Sequence, residues 1–365
     1  MALMRFCFMS KFDFPVYKTK IEGISQTFSL EDRAERRKYF DAKAGEEIKK
    51  IKEYLKENTF VGFLIGKKNS GKGTYSKLFM EAVGPEHVTH ISVGDIVRSA
   101  KKAAEDTATR QHLEDFLRKR YRGFGSVESV IDNVINWSVK THLATEGVLA
   151  LVEWEIDRTD HKAVFIDGFP RSVDQISLAL YFRALIGYRD DPDFFVFIDL
   201  PETIINERMK NRVICPICQT PRSFKLLRTK EIGYDETTKE FYLMCDNPGC
   251  NHARMVEKEG DTLGIEAIRD RIEADDKVAR TLLELEGVPK IYLRNSVPVE
   301  SAKDFVDEYE ITPEYSYEWN AAQKQVKVNE KPWIVKDDEG KEVYSLLPAA
   351  VVVSLIKQVT SVLGL

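Results

Sequence analysis

A short apolar run followed by a glycine-rich loop sets the strongest limit on the fold of this chain. Residues 60–66 read FVGFLIG, an unbroken apolar run that is typical of a parallel strand buried on both faces. The loop KKNSGKGT follows, and a helical pattern begins after it. A glycine-rich turn between a strand and a helix directs backbone N–H groups and the positive helix end at phosphate oxygens. The stretch therefore predicts a phosphate-binding loop, with Lys72 as a mobile positive charge.

Two later apolar runs, residues 163–168 and 194–200, have the same character, and helical patterns separate the three runs. Strands that alternate with helices predict an α/β fold with a parallel sheet flanked by helices. The pattern changes between Cys215 and Cys250 to short, turn-rich and charged sequence. This change predicts a small inserted subdomain.

Charge and composition exclude several classes of partner. The chain has 365 residues and a net charge of −5, so it has no global attraction to nucleic acid or to an anionic membrane. Charges at Arg5, Lys11 and Asp13 interrupt the apolar N-terminus, which predicts a cytoplasmic protein without a secretory signal. Lys357 interrupts the apolar C-terminal run, so we expect a buried final helix rather than a membrane span.

Several motifs together resemble those of adenylate kinases and other nucleoside monophosphate kinases. The phosphate loop GKGT, with Gly73 between the lysine and the threonine, is similar to the form that this family uses. Later motifs resemble the family's in the same order, namely HISVGDIVRSA (90–100), FIDGFPRSVDQ (165–175), INERMKNR (205–212) and IEAIRDRI (265–272). The resemblance covers residues 60–290 and implies a P-loop NTPase-type sheet with inserted acceptor-binding and lid subdomains.

The resemblance also implies a reaction and its residues. Phosphoryl transfer from Mg·ATP to a nucleoside monophosphate depends on positioning and charge neutralisation, which arginines supply. The implied catalytic residues are Lys72, Arg98, Arg171, Arg208, Arg212 and Arg271. The implied ATP-binding residues are Asn69, Ser70, Gly71, Lys72, Gly73, Thr74 and Arg208. The implied acceptor-binding residues are Ser92, Val93, Arg98, Gly168, Arg171 and Gln175. The carboxylates that would organise water around Mg²⁺ are Asp95 and Asp167.

The acceptor base is the open question within this interpretation. Gln175 stands where adenylate kinases read the adenine of AMP, and an amide matches adenine's donor and acceptor edge. Val93 stands where adenylate kinases carry a threonine hydroxyl, which removes one polar contact. AMP is thus the favoured acceptor, and UMP, CMP or another monophosphate is the alternative. A non-catalytic nucleotide-binding adaptor is the alternative from a different class.

The lid-like segment carries two pairs of cysteines. Cys215 with Cys218 and Cys245 with Cys250 fit a tetrahedral site of four thiolates that holds a structural Zn²⁺. His252 is an alternative ligand to Cys250. A nucleic-acid-binding zinc ribbon is the competing interpretation, but the sequence between the pairs has no clear basic stripe.

The motifs divide the chain into four parts. We expect an N-terminal helical extension (1–59) and a core (60–212) with an acceptor-binding insertion near 91–147. A zinc-type lid (213–260) follows, and residues 261–365 complete the core with C-terminal strands and a final helix. The extension either packs on the core, which we favour, or serves as a docking arm for an unknown protein partner.

Overall fold

A computed structural model describes residues 14–23, 26–136, 143–159, 161–177, 192–218, 220–258 and 261–365. The first part of the chain forms α1 (Arg33–Tyr54), β1 (Val61–Ile65), α2 (Lys72–Val83), β2 (Val88–Ser92), α3 (Val93–Glu105), α4 (Thr107–Arg120), α5 (Val127–Ile135), α6 (Thr145–Asp157), β3 (Ala163–Asp167) and α7 (Val173–Ser177). The middle forms β4 (Asp193–Asp199), α8 (Glu202–Lys210), β5 (Arg212–Ile214), β6 (Pro221–Ser223), β7 (Ile232–Asp235), β8 (Glu240–Leu243) and β9 (Val256–Glu257). The last part forms α9 (Arg269–Leu283), β10 (Lys290–Arg294), β11 (Ser296–Pro298), α10 (Ala302–Phe305), β12 (Pro313–Asn320), β13 (Gln325–Pro332), β14 (Ile334–Lys336), β15 (Glu342–Ser345) and α11 (Pro348–Val362).

The centre of the described residues is a five-stranded parallel sheet in the order β10-β4-β1-β3-β2. Every residue of β1 is buried, because apolar side chains cover the sheet on both faces. Phe63 and Ile65 belong to the cluster on one face, and Leu64 belongs to the cluster on the other. The predicted α/β fold with a helix-flanked parallel sheet is confirmed.

The described part of the N-terminal extension packs on the core. Helix α1 begins after Asp32, whose carboxylate accepts hydrogen bonds from the N–H groups of Ala34 and Glu35. The buried side of α1 shares one apolar cluster with α2 and α11. The final helix α11 is buried as the sequence predicted. None of the helices in the described ranges combines the length and the apolarity that a bilayer span needs.

A buried polar network fixes Thr19 and helix α1 to residues 307–310. The Lys43 side chain is inaccessible to solvent, and its ammonium lies 2.6 Å from an Asp307 oxygen and 3.8 Å from Glu310. Tyr39 and Thr19 both donate hydrogen bonds to the carboxylate of Glu310. Because a buried charge needs a partner, this network ties α1 to the polypeptide that precedes β12.

Small strands and an aromatic hairpin form a second region. Strands β5, β6 and β9 pair in one antiparallel sheet and β7 pairs with β8 in another. Strands β12 and β13 form a hairpin whose Trp319 ring stacks on Tyr234, with 4.7 Å between the ring centroids. Tyr317 donates a hydrogen bond of 2.6 Å to the carbonyl of Phe224. The hairpin therefore packs against the segment that holds the cysteine pairs.

The helical pattern predicted between the apolar runs 163–168 and 194–200 lies mostly outside the described residues. Its described portion is α7, which ends at Ser177.

Candidate functional site

The glycine-rich loop has the geometry of an anion cradle. Asn69 and Gly71 have φ angles of 67° and 103°, and α2 begins immediately after Gly71. The left-handed conformation favours glycine at position 71. Ser70 is buried, and within the described residues neither its Oγ nor Asn69 Nδ2 has a hydrogen-bond partner. The loop thus offers polar groups that the protein itself does not satisfy.

Lys72 is hydrogen-bonded through its ammonium to the backbone at the start of this loop. Its ammonium donates hydrogen bonds to the carbonyls of Gly66 (2.6 Å) and Lys67 (3.0 Å). The same ammonium lies 3.9 Å from Asp167 Oδ1 at the end of β3. Burial lowers the pKa of Lys72, although the Asp167 carboxylate acts in the opposite direction. Thr74 is an exposed residue in the first turn of α2, and its N–H donates to the carbonyl of Gly71.

The turn after β3 brings Arg171 to the same place. The Arg171 side chain donates from Nε to the carbonyl of Gly168 at 2.7 Å. Gly168 has a φ of +83°, and a Cβ there would lie 2.7 Å from Arg171 Nη2, so a glycine is required. The N–H of Arg171 donates to Gln175 Oε1 at 2.6 Å, which uses one of the two lone pairs of that oxygen.

One cleft collects the predicted residues from three segments. It is lined by apolar residues and glycines, Gly168 among them, and by the charged side chains of Lys72, Arg171, Arg271 and Asp275. Arg271 donates from Nε to Asp275 Oδ1 at 3.0 Å, one helical turn away on α9. The structure therefore places Lys72, Arg171 and Arg271 together, with Asp167 beside them.

The cleft concentrates positive charge. Burial lowers the pKa of Arg171, and the neighbouring Arg271 lowers it further. Burial also lowers the pKa of Lys68, with added repulsion from Arg271, Lys258 and Arg212. Like charges in a desolvated site disfavour one another, so this arrangement is suited to an anion of high charge density.

The other predicted arginines have partners outside this cleft. Arg208 donates to Asn295 Oδ1 (3.1 Å) and to Ser345 Oγ (3.3 Å). Arg212 makes a two-point contact with Asp261, at 2.5 and 2.8 Å.

The acceptor-side residues meet at the ends of β2 and β3. Ser92 pairs in register with Asp167, and the next residue, Val93, is buried in the apolar core. Arg98 forms an exposed ion pair with Asp95 on the same helix, α3. Within the described part of the chain, neither Arg98 nor Asp95 lines the cleft that holds Lys72 and Arg171.

The four cysteines of the two pairs converge. The Sγ atoms of Cys215, Cys218, Cys245 and Cys250 all lie within 4.8 Å of one another, and those of Cys218 and Cys245 are 3.6 Å apart. Four thiolates at a Zn–S distance of about 2.3 Å would have sulfurs about 3.8 Å apart, so these residues fit a tetrahedral zinc ion. His252 lies instead beside Glu231, with 2.9 Å between Nδ1 and Oε2.

The thiols differ in acidity. The hydroxyl and N–H of Thr220 lower the pKa of Cys218 to about 6, whereas burial and the adjoining thiols raise that of Cys250 to about 12. Four crowded thiols cannot all ionise unless a cation shares the site.

The loop and the parallel sheet define an α/β protein of the P-loop type. No protein-family model matches the chain. Curated relatives include an adenylate kinase of Clostridium novyi (strain NT), 27% identical over 222 residues, which are 60% of this chain and 83% of that protein. An adenylate kinase of Thermotoga neapolitana is 29% identical over 230 residues, 63% of this chain and 86% of the relative. An adenylate kinase of Chlamydia trachomatis serovar L2 is 26% identical over 225 residues, 60% of this chain and 77% of the relative. The chain is therefore similar to adenylate kinases over 60–63% of its length, as its motifs predicted, and its four-cysteine cluster is consistent with a zinc-type lid.

Sequence reasoning missed several charged residues near the cleft. Asp275 and Asp261 hold Arg271 and Arg212, and Lys68 faces the same arginines. The position of Lys68 beside Lys67 in the phosphate loop was a sequence signal that could have predicted its place near the cleft. Asp275 and Asp261 had no such signal, because charged residues on a helix or a turn are usually solvent-exposed.

Proposed function

We propose that the chain is a nucleoside monophosphate kinase that transfers the γ-phosphoryl group of Mg·ATP to AMP and yields two ADP. The observation that carries this proposal is the convergence of Lys72, Arg171 and Arg271 on one cleft beside the phosphate loop. Among the described residues a Cβ at Gly73 would meet only His90 Cε1, at 3.8 Å, so packing within that part of the chain does not require glycine there. Close approach of a phosphate to the backbone would require it.

The roles follow from charge and position. Lys72 would hold the β- and γ-phosphates of the donor, and its ammonium would leave the carbonyls of Gly66 and Lys67 to do so. Arg171 would bind the acceptor phosphate from the opposite wall of the cleft. Arg271 would stabilise the charge on the phosphoryl group in flight. No strong base is needed, because the acceptor phosphate is already ionised at neutral pH.

Several predicted residues change partners in this proposal. Arg212 would exchange its contact with Asp261 for the donor phosphates, and Arg208 would contact the donor nucleotide. Arg98 would exchange Asp95 for the acceptor phosphate. For Arg212 and Arg98 the exchange replaces an internal ion pair by a charge-assisted hydrogen bond to phosphate, so each arginine stays paired while Asp261 and Asp95 lose their partner.

Mg²⁺ would accompany ATP and neutralise charge on its phosphates. Asp167 fits a role in orienting the water around that ion, because it ends a buried strand beside Lys72. Asp95 would share this role only when Arg98 turns to the acceptor phosphate.

The lid would close over the nucleotides and exclude water, which strengthens arginine–phosphate contacts and prevents ATP hydrolysis. A Zn²⁺ bound by the four cysteines would supply the stiffness that a small apolar core cannot. We retain the four-part division of the chain, with the lid at residues 213–260, and the cytoplasmic location as parts of this proposal.

A pyrimidine monophosphate is the second candidate acceptor. Gln175 Oε1 already accepts a hydrogen bond from Arg171 N, so one of the two lone pairs of this oxygen is used within the protein and only one remains for a base. The buried Val93 adds no hydroxyl at this point. Both observations weaken the match to adenine without affecting the phosphate site.

The test is a set of initial rates of phosphoryl transfer from Mg·ATP to AMP, CMP, UMP and GMP, with a control that lacks an acceptor. A rate with AMP far above the others supports the proposal. Preference for CMP or UMP would keep the chemistry and overturn the acceptor. Absence of transfer to all four, from folded protein that binds ATP, would favour the non-catalytic adaptor.

A further inference from the structure

Lys67, the first lysine of the phosphate loop, is buried among carboxylates instead of facing the cleft. Its side chain is only 5% exposed. Its ammonium lies 3.4 Å from Glu202 Oε1, 3.8 Å from Asp276 Oδ2 and 3.9 Å from Asp338 Oδ2. These carboxylates come from α8, α9 and the turn between β14 and β15. Lys67 therefore joins three separate segments to the phosphate loop.

The Asp338 carboxylate has a second contact, with the start of α8. Its two oxygens accept from the N–H of Glu202 at 2.8 and 3.1 Å, which places a negative charge at the positive end of the helix. Thr203 adds a hydrogen bond of 2.6 Å to the carbonyl of Lys336 in the same turn. The turn thus fixes the first residues of the helix that carries Arg208 and leads to Arg212.

The main chain of Lys67 belongs to the donor site. Its carbonyl accepts hydrogen bonds from Lys72 Nζ at 3.0 Å and from Ser70 N at 3.1 Å. A shift of Lys67 would consequently move the lysine that faces the phosphates. The Lys67 ammonium itself is directed away, toward the three carboxylates, so it is a poor candidate for a phosphate ligand.

We propose that Lys67 and Asp338 are positioning residues for the donor half of the site. Their ion pair sets the spacing between the phosphate loop, which carries Lys72, and helix α8, which carries Arg208. The inference rests on the proposed kinase function, and it assigns a catalytic-site role to a C-terminal turn 136 residues from Glu202. The acceptor half, around Arg171, does not depend on this pair.

The experiment compares Asp338→Asn, Lys67→Met, Lys67→Arg and the double variant in the full-length chain. Asparagine keeps an oxygen for the N–H of Glu202 but removes the charge that faces Lys67. We expect Asp338→Asn and Lys67→Met to raise the Kd for Mg·ATP and the KM for ATP about fivefold, while the KM for AMP stays within about twofold. Lys67→Arg should retain most of the affinity for ATP. The Kd for Mg·ATP of the double variant should be no higher than that of Lys67→Met.

Glu339→Gln is the matched control, because Glu339 lies in the same turn, is exposed and pairs with Lys341. This substitution should leave the Kd for Mg·ATP and the KM values for ATP and AMP unchanged. Unchanged ATP affinity in folded Asp338→Asn, or equal losses for ATP and AMP, would overturn the inference. If Lys67→Met fails to fold, Asp338→Asn still tests the inference, because Asp338 is partly exposed and its substitution disturbs the core less. Binding of Mg·ATP is measured without turnover, so a wild-type chain that binds ATP but transfers no phosphate would refute the kinase function separately.

Discussion

Removal of a metal from the four-cysteine cluster should unfold the lid and leave the parallel sheet intact. The apolar cluster of the lid consists of Val213, Leu243 and Met255 together with three of the cysteines. Burial of each apolar side chain stabilises the lid by about 1.5–3 kcal/mol, so the three supply about 5–9 kcal/mol. A structural zinc ion contributes about 10–16 kcal/mol, which is the larger share.

The perturbations are a strong chelator and Cys245→Ser, with Cys7→Ser as the control because Cys7 lies outside both pairs and outside the described residues. Zinc released by a mercurial should amount to one ion per chain. Loss of the metal should lower amide protection in β5 and β8 by about a thousandfold or more, while β1 and β4 keep theirs. If metal-free protein has four rapidly titrating thiols and a fully protected lid, the stability of the lid does not depend on a bound metal.

The remaining predictions concern other parts of the chain. Arg171→Ala should reduce phosphoryl transfer by about two orders of magnitude or more with ATP affinity largely preserved, and near-normal turnover in steady-state assays would contradict its role. Lys43→Met should lower the free energy of unfolding by about 3–5 kcal/mol in urea titrations, because it leaves buried carboxylates unpaired. Trp319→Ala should remove about 1 kcal/mol of stacking on Tyr234 and raise amide exchange in β7, and unchanged exchange would argue against the hairpin contact. Burial raises the pKa of Asp276 to about 6, above its usual 3.8, so folding stability should fall as pH rises from 4 through 6, and Asp276→Asn should flatten that slope in thermal scans.

The sheet and the phosphate loop could be predicted because their signals are local. A strand such as β1, buried on both faces, must be apolar throughout, and the loop that follows needs glycine where φ is positive. The two cysteine pairs were recognisable because each pair is local, although Cys218 and Cys245 are 27 residues apart. For the strand and the loop, a short stretch of sequence carries the physical requirement by itself.

The charge pairing of the site could not be predicted in this way. Lys67 contacts Glu202 across 135 residues, and Arg212 contacts Asp261 across 49. Such pairs depend on how distant segments meet, and any exposed lysine and glutamate would look the same in sequence.

The aromatic hairpin shows the same limit. Tyr317 reaches Phe224 across 93 residues, and the sequence predicted C-terminal strands without indicating that β12 and β13 pack on the lid. Strands β14 and β15 pair on either side of Gly340, whose φ is +84°.

The most direct test of the central claim follows the phosphorus resonances of ATP and AMP by NMR during incubation with the purified, zinc-loaded chain and Mg²⁺. If the chain is an AMP kinase, two ADP form for each AMP consumed, with no inorganic phosphate and with no ADP when AMP is omitted. ADP and inorganic phosphate formed without AMP, or unchanged ATP in the presence of every monophosphate acceptor, would contradict this function.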